Sequence, residues 1–151
     1  MCIVIDACTL AAVFKSSDLA FDPVRKWILA GKGKMVFGGS TYAAELSKVG
    51  SLLNLVAELS RQRKTVVLKK GVVDSAEKVI KEMEESNDFD DPHIVAIVRE
   101  SGCRVVCTLD RRSDKFLRNR RFYPNGTRPS IYRSNSHSHL LCDGNIVGAC
   151  V

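Results

Sequence analysis

Four acidic residues stand where a fold could gather them. Asp6 directly follows the apolar run CIVI, Glu45 lies inside STYAAELSK, Asp91 precedes Pro92 and the apolar stretch HIVAIV, and Asp110 directly follows RVVCTL. A carboxylate at the end of a buried strand needs a cap, a cation or a substrate, because burying its charge alone is costly. Singly, each has an ordinary explanation: Asp91 suits a helix N-cap with proline next, and Glu45 suits an exposed helical position. Together in one cleft, the four would raise one another's pKa unless divalent cations intervened. Oxygen donors without clustered imidazole or thiolate select Mg²⁺ or Mn²⁺ over zinc. Such a metal can lower the pKa of water and stabilise charge on a phosphodiester. Arg111 and Arg112, just beyond Asp110, are placed to grip flanking phosphates.

The elements that must position these groups follow from hydrophobic patterning. Short β-rich runs (CIVI, KMVFG, TVVLK, RVVCTL, SIYR) alternate with longer amphipathic ones. Helices are expected at LAAVFK, at DPVRKWILAG with Pro23 in its first turn, and at STYAAELSKVG, capped by Ser40 or Thr41 and ended by Gly50. Further helices are expected at SLLNLVAELSRQRK, VVDSAEKVIKEMEES and DPHIVAIVRESG, the last closed by Gly102. NIVGACV offers late strand material, and RNRRFYPNGTRPS is the expected mobile loop. Strands alternating with helices predict an α/β fold: a three-layer sandwich with a central, mostly parallel sheet and helices on both faces. In such sheets functional groups collect beyond the carboxyl ends of the strands, where Asp6 and Asp110 stand.

The 151 residues suit one domain spanning the chain, with 45% hydrophobic and 26% charged residues. No apolar run approaches the ~18–20 residues of a bilayer span, and the first residues lack a basic region followed by a long apolar one. No membrane association and a cytoplasmic location are therefore expected. The net charge of +6 favours a polyanionic partner. Its arginines concentrate in 99–133, while 74–91 is acidic.

Cys103 and Cys107 face one side of an expected strand but stand ~13 Å apart, too far to share a metal. HSHLLC offers His137, His139 and Cys142 without a fourth partner at a recognised zinc spacing. Reduced, mostly buried thiols are expected, with no disulfide and no zinc. None of the three histidines is expected among the strand-end acids.

Taken in order, VIDACTL, YAAEL and DDPHIVAIVRESGCRVVCTLDRRSDKF resemble the PIN-domain nucleases over most of the chain. The resemblance implies a PIN-like fold and an endoribonuclease that hydrolyses RNA with Mg²⁺ or Mn²⁺. Its invariant acids correspond to Asp6, Glu45, Asp91 and Asp110, with Thr108 supporting the last. Asp91 rather than Asp90 fits because Ile94, Val95 and Ala96 follow it at the family's distance. Two features depart from the family pattern: Cys8 stands where Asn or Ser is common, and Asp114, a further ligand or only a surface residue, lies four rather than two residues beyond Asp110. Many small members are toxins of toxin–antitoxin pairs, which implies an RNA substrate, an antitoxin protein and a homodimer as partners. Others mature ribosomal RNA, and a non-catalytic PIN-like RNA-binding or scaffold module stays open beside them. Phosphotransferases of the haloacid dehalogenase type need a second aspartate where Cys8 stands, a receiver domain needs an aspartate absent from AAELSKVGSLLN, and a cysteine phosphatase needs an arginine where Phe14 stands.

Overall fold

The computed structural model describes residues 2–145 and 147–150. Five strands form one sheet: β1 (Cys2–Ile5), β2 (Lys34–Gly38), β3 (Thr65–Leu68), β4 (Val105–Cys107) and β5 (Ser130–Tyr132). Their order is β3-β2-β1-β4-β5 and every neighbouring pair is parallel. Among the described residues, seven α-helices accompany them: α1 (Leu10–Phe14), α2 (Asp22–Leu29), α3 (Ser40–Ser47), α4 (Gly50–Arg61), α5 (Lys70–Met83), α6 (Pro92–Ser101) and α7 (Asp114–Leu117). The result is the expected three-layer α/β sandwich. Parallel strands cannot be joined by tight turns, so helices cross over between them and cover the faces. Accordingly β1 and β4 are buried at every position and read as continuous apolar runs. Edge strand β3 is only half-buried.

Chain order reverses at one place in this sheet. From β1 it runs to β2 and β3 on one side, and beyond β1 on the other it resumes with β4 and β5. The crevice beyond the carboxyl ends of β1 and β4 is therefore the topological switch point, where open α/β sheets bind ligands. Register aligns the two strands there: Ile5 pairs with Cys107, and the Asp6 backbone N–H donates to Cys107 O at 3.0 Å.

Several local expectations change. Neither Ser40 nor Thr41 caps α3; the N-cap is Gly39, at φ 86°. A side chain there would be strained, and its Cβ would meet Val73 Cγ1 at 2.7 Å. Both the Ser40 N–H (2.6 Å) and its hydroxyl donate to the carboxylate of Asp74 on α5, so the cap comes from a distant element. Gly50 begins α4 rather than ending α3. The arginine-rich segment after α7 is not a free loop: Phe122 is buried and stacks on Phe89 at 5.6 Å, and the Tyr123 hydroxyl donates to Leu117 O at 3.0 Å. In NIVGACV, Gly148–Cys150 form a 3-10 turn instead of a strand, and Ile146 and Val151 lie outside the described residues.

The cysteines also depart from expectation. Cys2 and Cys150 form a disulfide, with Cα atoms 6.0 Å apart across 148 residues of sequence. The pairing fastens the 3-10 turn at 148–150 to the start of β1, a contact no local pattern announces. Cys8, Cys103, Cys107 and Cys142 are free. Among the described residues, no helix is long and apolar enough to cross a membrane.

Candidate functional site

Asp6 is placed by the two central strands. Its backbone continues the β1 ladder, and Oδ1 accepts from the Cys8 N–H at 3.2 Å, capping the 3-10 turn Ala7–Thr9. Oδ2 accepts from the Thr108 hydroxyl, one residue past β4, at 3.0 Å. The residue is 4% exposed, and burial pushes its carboxyl pKa up, with Thr108 and Cys8 opposing and Glu45 adding to the rise. Thr108 Oγ1 in turn accepts from the Asp110 N–H at 3.1 Å, so one hydroxyl links both strand-end acids. That is a concrete role for the expected supporting threonine.

Glu45 reaches the same cleft from α3. The Tyr42 hydroxyl, one turn earlier on the same helix face, donates to Ile5 O at 2.6 Å and seats α3 against the end of β1. Asp91 arrives from the opposite side as the N-cap position of α6, with Pro92 next. Its side chain makes no capping hydrogen bond, contrary to the expected dual role. Burial, then Asp6, and more weakly Glu45 and Asp110 raise its pKa to about 6, with His93 opposing. A half-buried carboxylate left without a donor is costly, and a bound cation would relieve that cost.

His93 is the residue that sequence reasoning missed. It was expected to lie in a helix away from the acids, yet Nε2 sits 3.2 Å from Glu45 Oε2 while the ring is 1% exposed. Ligand atoms of Glu45, Asp91 and His93 all fall within 4.8 Å of one another. The available signal was spacing: His93 is two residues from Asp91 at the start of one helix. Its place at the head of the apolar run HIVAIV gave no sign of the glutamate it meets.

The remaining expected residues divide. Asp110 lines the cleft with Asp6, Cys8, Asp90, Asp91 and Arg112, around a volume of about 390 Å³. Arg112 grips Asp110 through Nε (3.1 Å) and a terminal nitrogen (2.9 Å) and also reaches Asp90 at 3.0 Å, holding the Asp110 carboxyl below its ordinary range. Arg112 is therefore paired with carboxylates rather than free for phosphate, whereas Arg111 is exposed. Asp90 is paired outward while Asp91 is drawn into the acidic group. Asp114, expected as a further ligand, is instead paired with Arg133. Arg133 also donates to Thr108 O and Asp110 O, both at 3.0 Å, and so braces the turn that carries Asp110. Burial and the surrounding acids raise the Cys8 thiol above its ordinary pKa, which keeps it neutral and poorly nucleophilic.

Glu45, Asp91 and His93 thus form one cluster, and Asp6 and Asp110 share a cleft with Asp91 at the switch point. The cluster could hold a cation, and its imidazole departs from the expected all-oxygen donor set; His93 is also able to orient Glu45. Comparison with known proteins adds no second line of support: no family model, curated protein or solved structure matches the chain.

Proposed function

We propose that this chain is a Mg²⁺- or Mn²⁺-dependent endoribonuclease of the PIN-domain type, with Asp6, Glu45, Asp91 and Asp110 as its metal-holding acids. The observation that carries this reading is Asp91: an uncapped, half-buried carboxylate with a pKa of about 6, facing Asp6 and Glu45 at the switch point. The ordered resemblance of VIDACTL, YAAEL and TLD to that family, and the net charge of +6, support the same reading.

When bound, the divalent cation would supply Lewis acidity toward water and toward a phosphodiester oxygen. The protein's own contribution is positional. Thr108 fixes the Asp6 carboxylate through Oδ2 and spaces it from Asp110 through the Asp110 N–H. His93 holds Glu45 by Oε2, and Tyr42 keeps α3 against β1. Arg112 offers positive charge at the cleft mouth, where an incoming phosphate would compete with Asp110 and Asp90 for it.

A toxin role, with an antitoxin protein and a homodimer as partners, is proposed with the activity, since it rests on the same family resemblance. The test is cleavage of end-labelled RNA with Mn²⁺, with Mg²⁺ and with EDTA. The expected products carry 5′-phosphate and 3′-hydroxyl ends, cleavage vanishes in EDTA, and a 2′-deoxy substitution at the scissile nucleotide is tolerated. Cyclic 2′,3′-phosphate ends formed in EDTA would overturn the reading.

A further inference from the structure

We propose that Arg118, Arg128, His137 and His139 form a phosphate-binding site separate from the acidic cleft. The four side chains line a pocket of about 300 Å³ beside edge strand β5, with Pro129 and Leu140 among its walls. No carboxylate lines it. Arg25, Arg61, Arg99, Arg112 and Arg133 each have an acidic partner. Arg118 and Arg128 have none among the described residues, nor any side-chain hydrogen bond. Two guanidinium groups lining one concavity with no carboxylate in its wall favour an anion, and their planar donor forks suit phosphate oxygens.

His137 adds a donor of defined orientation, and His139 adds a fixed wall. His137 Nδ1 accepts from the Arg133 backbone N–H at 3.1 Å, so the ring proton resides on Nε2 and can be donated. His139 Nδ1 lies 3.1 Å from Ser136 O, which fixes its proton there and sets the ring. Arg133 connects this pocket to the acids, because its side chain holds Thr108 O and Asp110 O while its backbone holds His137. The site also supplies what Arg112 does not, a pair of arginines free of carboxylates.

The chemistry recognised is phosphate, carried by an RNA backbone or free in solution. The RNA source rests on the nuclease reading; the phosphate chemistry does not. The experiment follows binding of a short fluorescent single-stranded RNA by anisotropy in EDTA, so that cleavage plays no part. Wild type is compared with the double variant Arg118→Gln/Arg128→Gln, with Arg61→Gln on α4 as a control and melting curves to verify folding. Loss of two phosphate contacts should weaken binding about tenfold at low salt and flatten the slope of log K against log salt by about 1.4. Inorganic phosphate, followed by ³¹P line broadening, should bind wild type and not the double variant. Phosphate binding lost while RNA binding is unchanged assigns the site to free phosphate. RNA and phosphate binding both unchanged in the double variant overturns the proposal, as does competition by oligoglutamate equal to that by phosphate at matched charge. Altered RNA binding in a protein that never cleaves with Mn²⁺ would leave this site standing and remove the nuclease reading.

Discussion

His93 Nε2 lies 3.2 Å from Glu45 Oε2 and ties the first turn of α6 to the last turn of α3. Each residue comes from a helix that would otherwise place its side chain independently, so the contact fixes where the glutamate stands. If His93 positions Glu45, removing the imidazole should lower activity without removing an acid. His93→Leu should reduce the rate of RNA cleavage about 10- to 100-fold, the range for losing a group that orients a metal ligand. His93→Gln, which can still donate to Glu45, should recover part of that loss. Equal rates for both variants at matched folding would assign His93 to packing alone.

Asp91 predicts a pH dependence in metal-free protein. Its folded pKa, about 6, is above the ordinary 3.8, so ionising it is harder in the folded state. Below pH 4 the group is protonated in both states and costs nothing. As pH rises through about 6 the penalty develops fully, and stability falls. Asp91→Asn should therefore stabilise the metal-free protein at pH 7 by on the order of 1 kcal/mol, after discounting for solvent screening. Near pH 3.5 the difference should vanish. Urea midpoints at the two pH values measure it, and an equal gain at both would assign the effect to the asparagine itself.

Arg112 competes with any cation for Asp110. Arg112→Gln should leave metal-free stability almost unchanged, since the arginine is solvent-exposed. The variant's melting temperature should rise more on adding Mn²⁺ than that of wild type, because tighter binding to the folded state stabilises it more. Titration by differential scanning fluorimetry reads this directly. A smaller rise in the variant would mean that Arg112 helps to build the cation site.

The disulfide makes the last prediction. Alkylation of denatured, unreduced protein should modify four cysteines, Cys8, Cys103, Cys107 and Cys142, and spare Cys2 and Cys150. Cys150→Ser should lower stability by up to about 5 kcal/mol under oxidising conditions, the scale for closing so long a loop. The loss should be much smaller under reducing conditions, where the wild type carries two thiols. Six modified cysteines in the unreduced protein would show that the bond does not form.

Most of the fold was legible because its signals are local. A strand covered on both faces must be apolar throughout, which marks CIVI and RVVC, and Gly102 ends α6 by adopting the left-handed conformation that glycine favours. The strand-end positions of Asp6 and Asp110 were legible for the same reason. What escaped depends on partners far away in sequence. Asp114 meets Arg133 from 19 residues away, Ser40 meets Asp74 from 34, and His93 meets Glu45 from 48. The uncapped Asp91 escaped differently: the Asp-Pro pair signals a cap, but the backbone there (φ −116°, ψ 48°) leaves the side chain without a capping hydrogen bond.

The borrowed cap on α3 has a consequence for the order in which the chain acquires its structure. A helix of eight residues is marginal in isolation, and α3 has no capping side chain of its own. Its first turn is closed only when α5 delivers Asp74. Amide protons of α3 should thus exchange with solvent in step with detachment of α5, rather than by independent fraying. Glu45 rides on that helix, so the acidic cleft is completed late, after a segment about thirty residues downstream has docked.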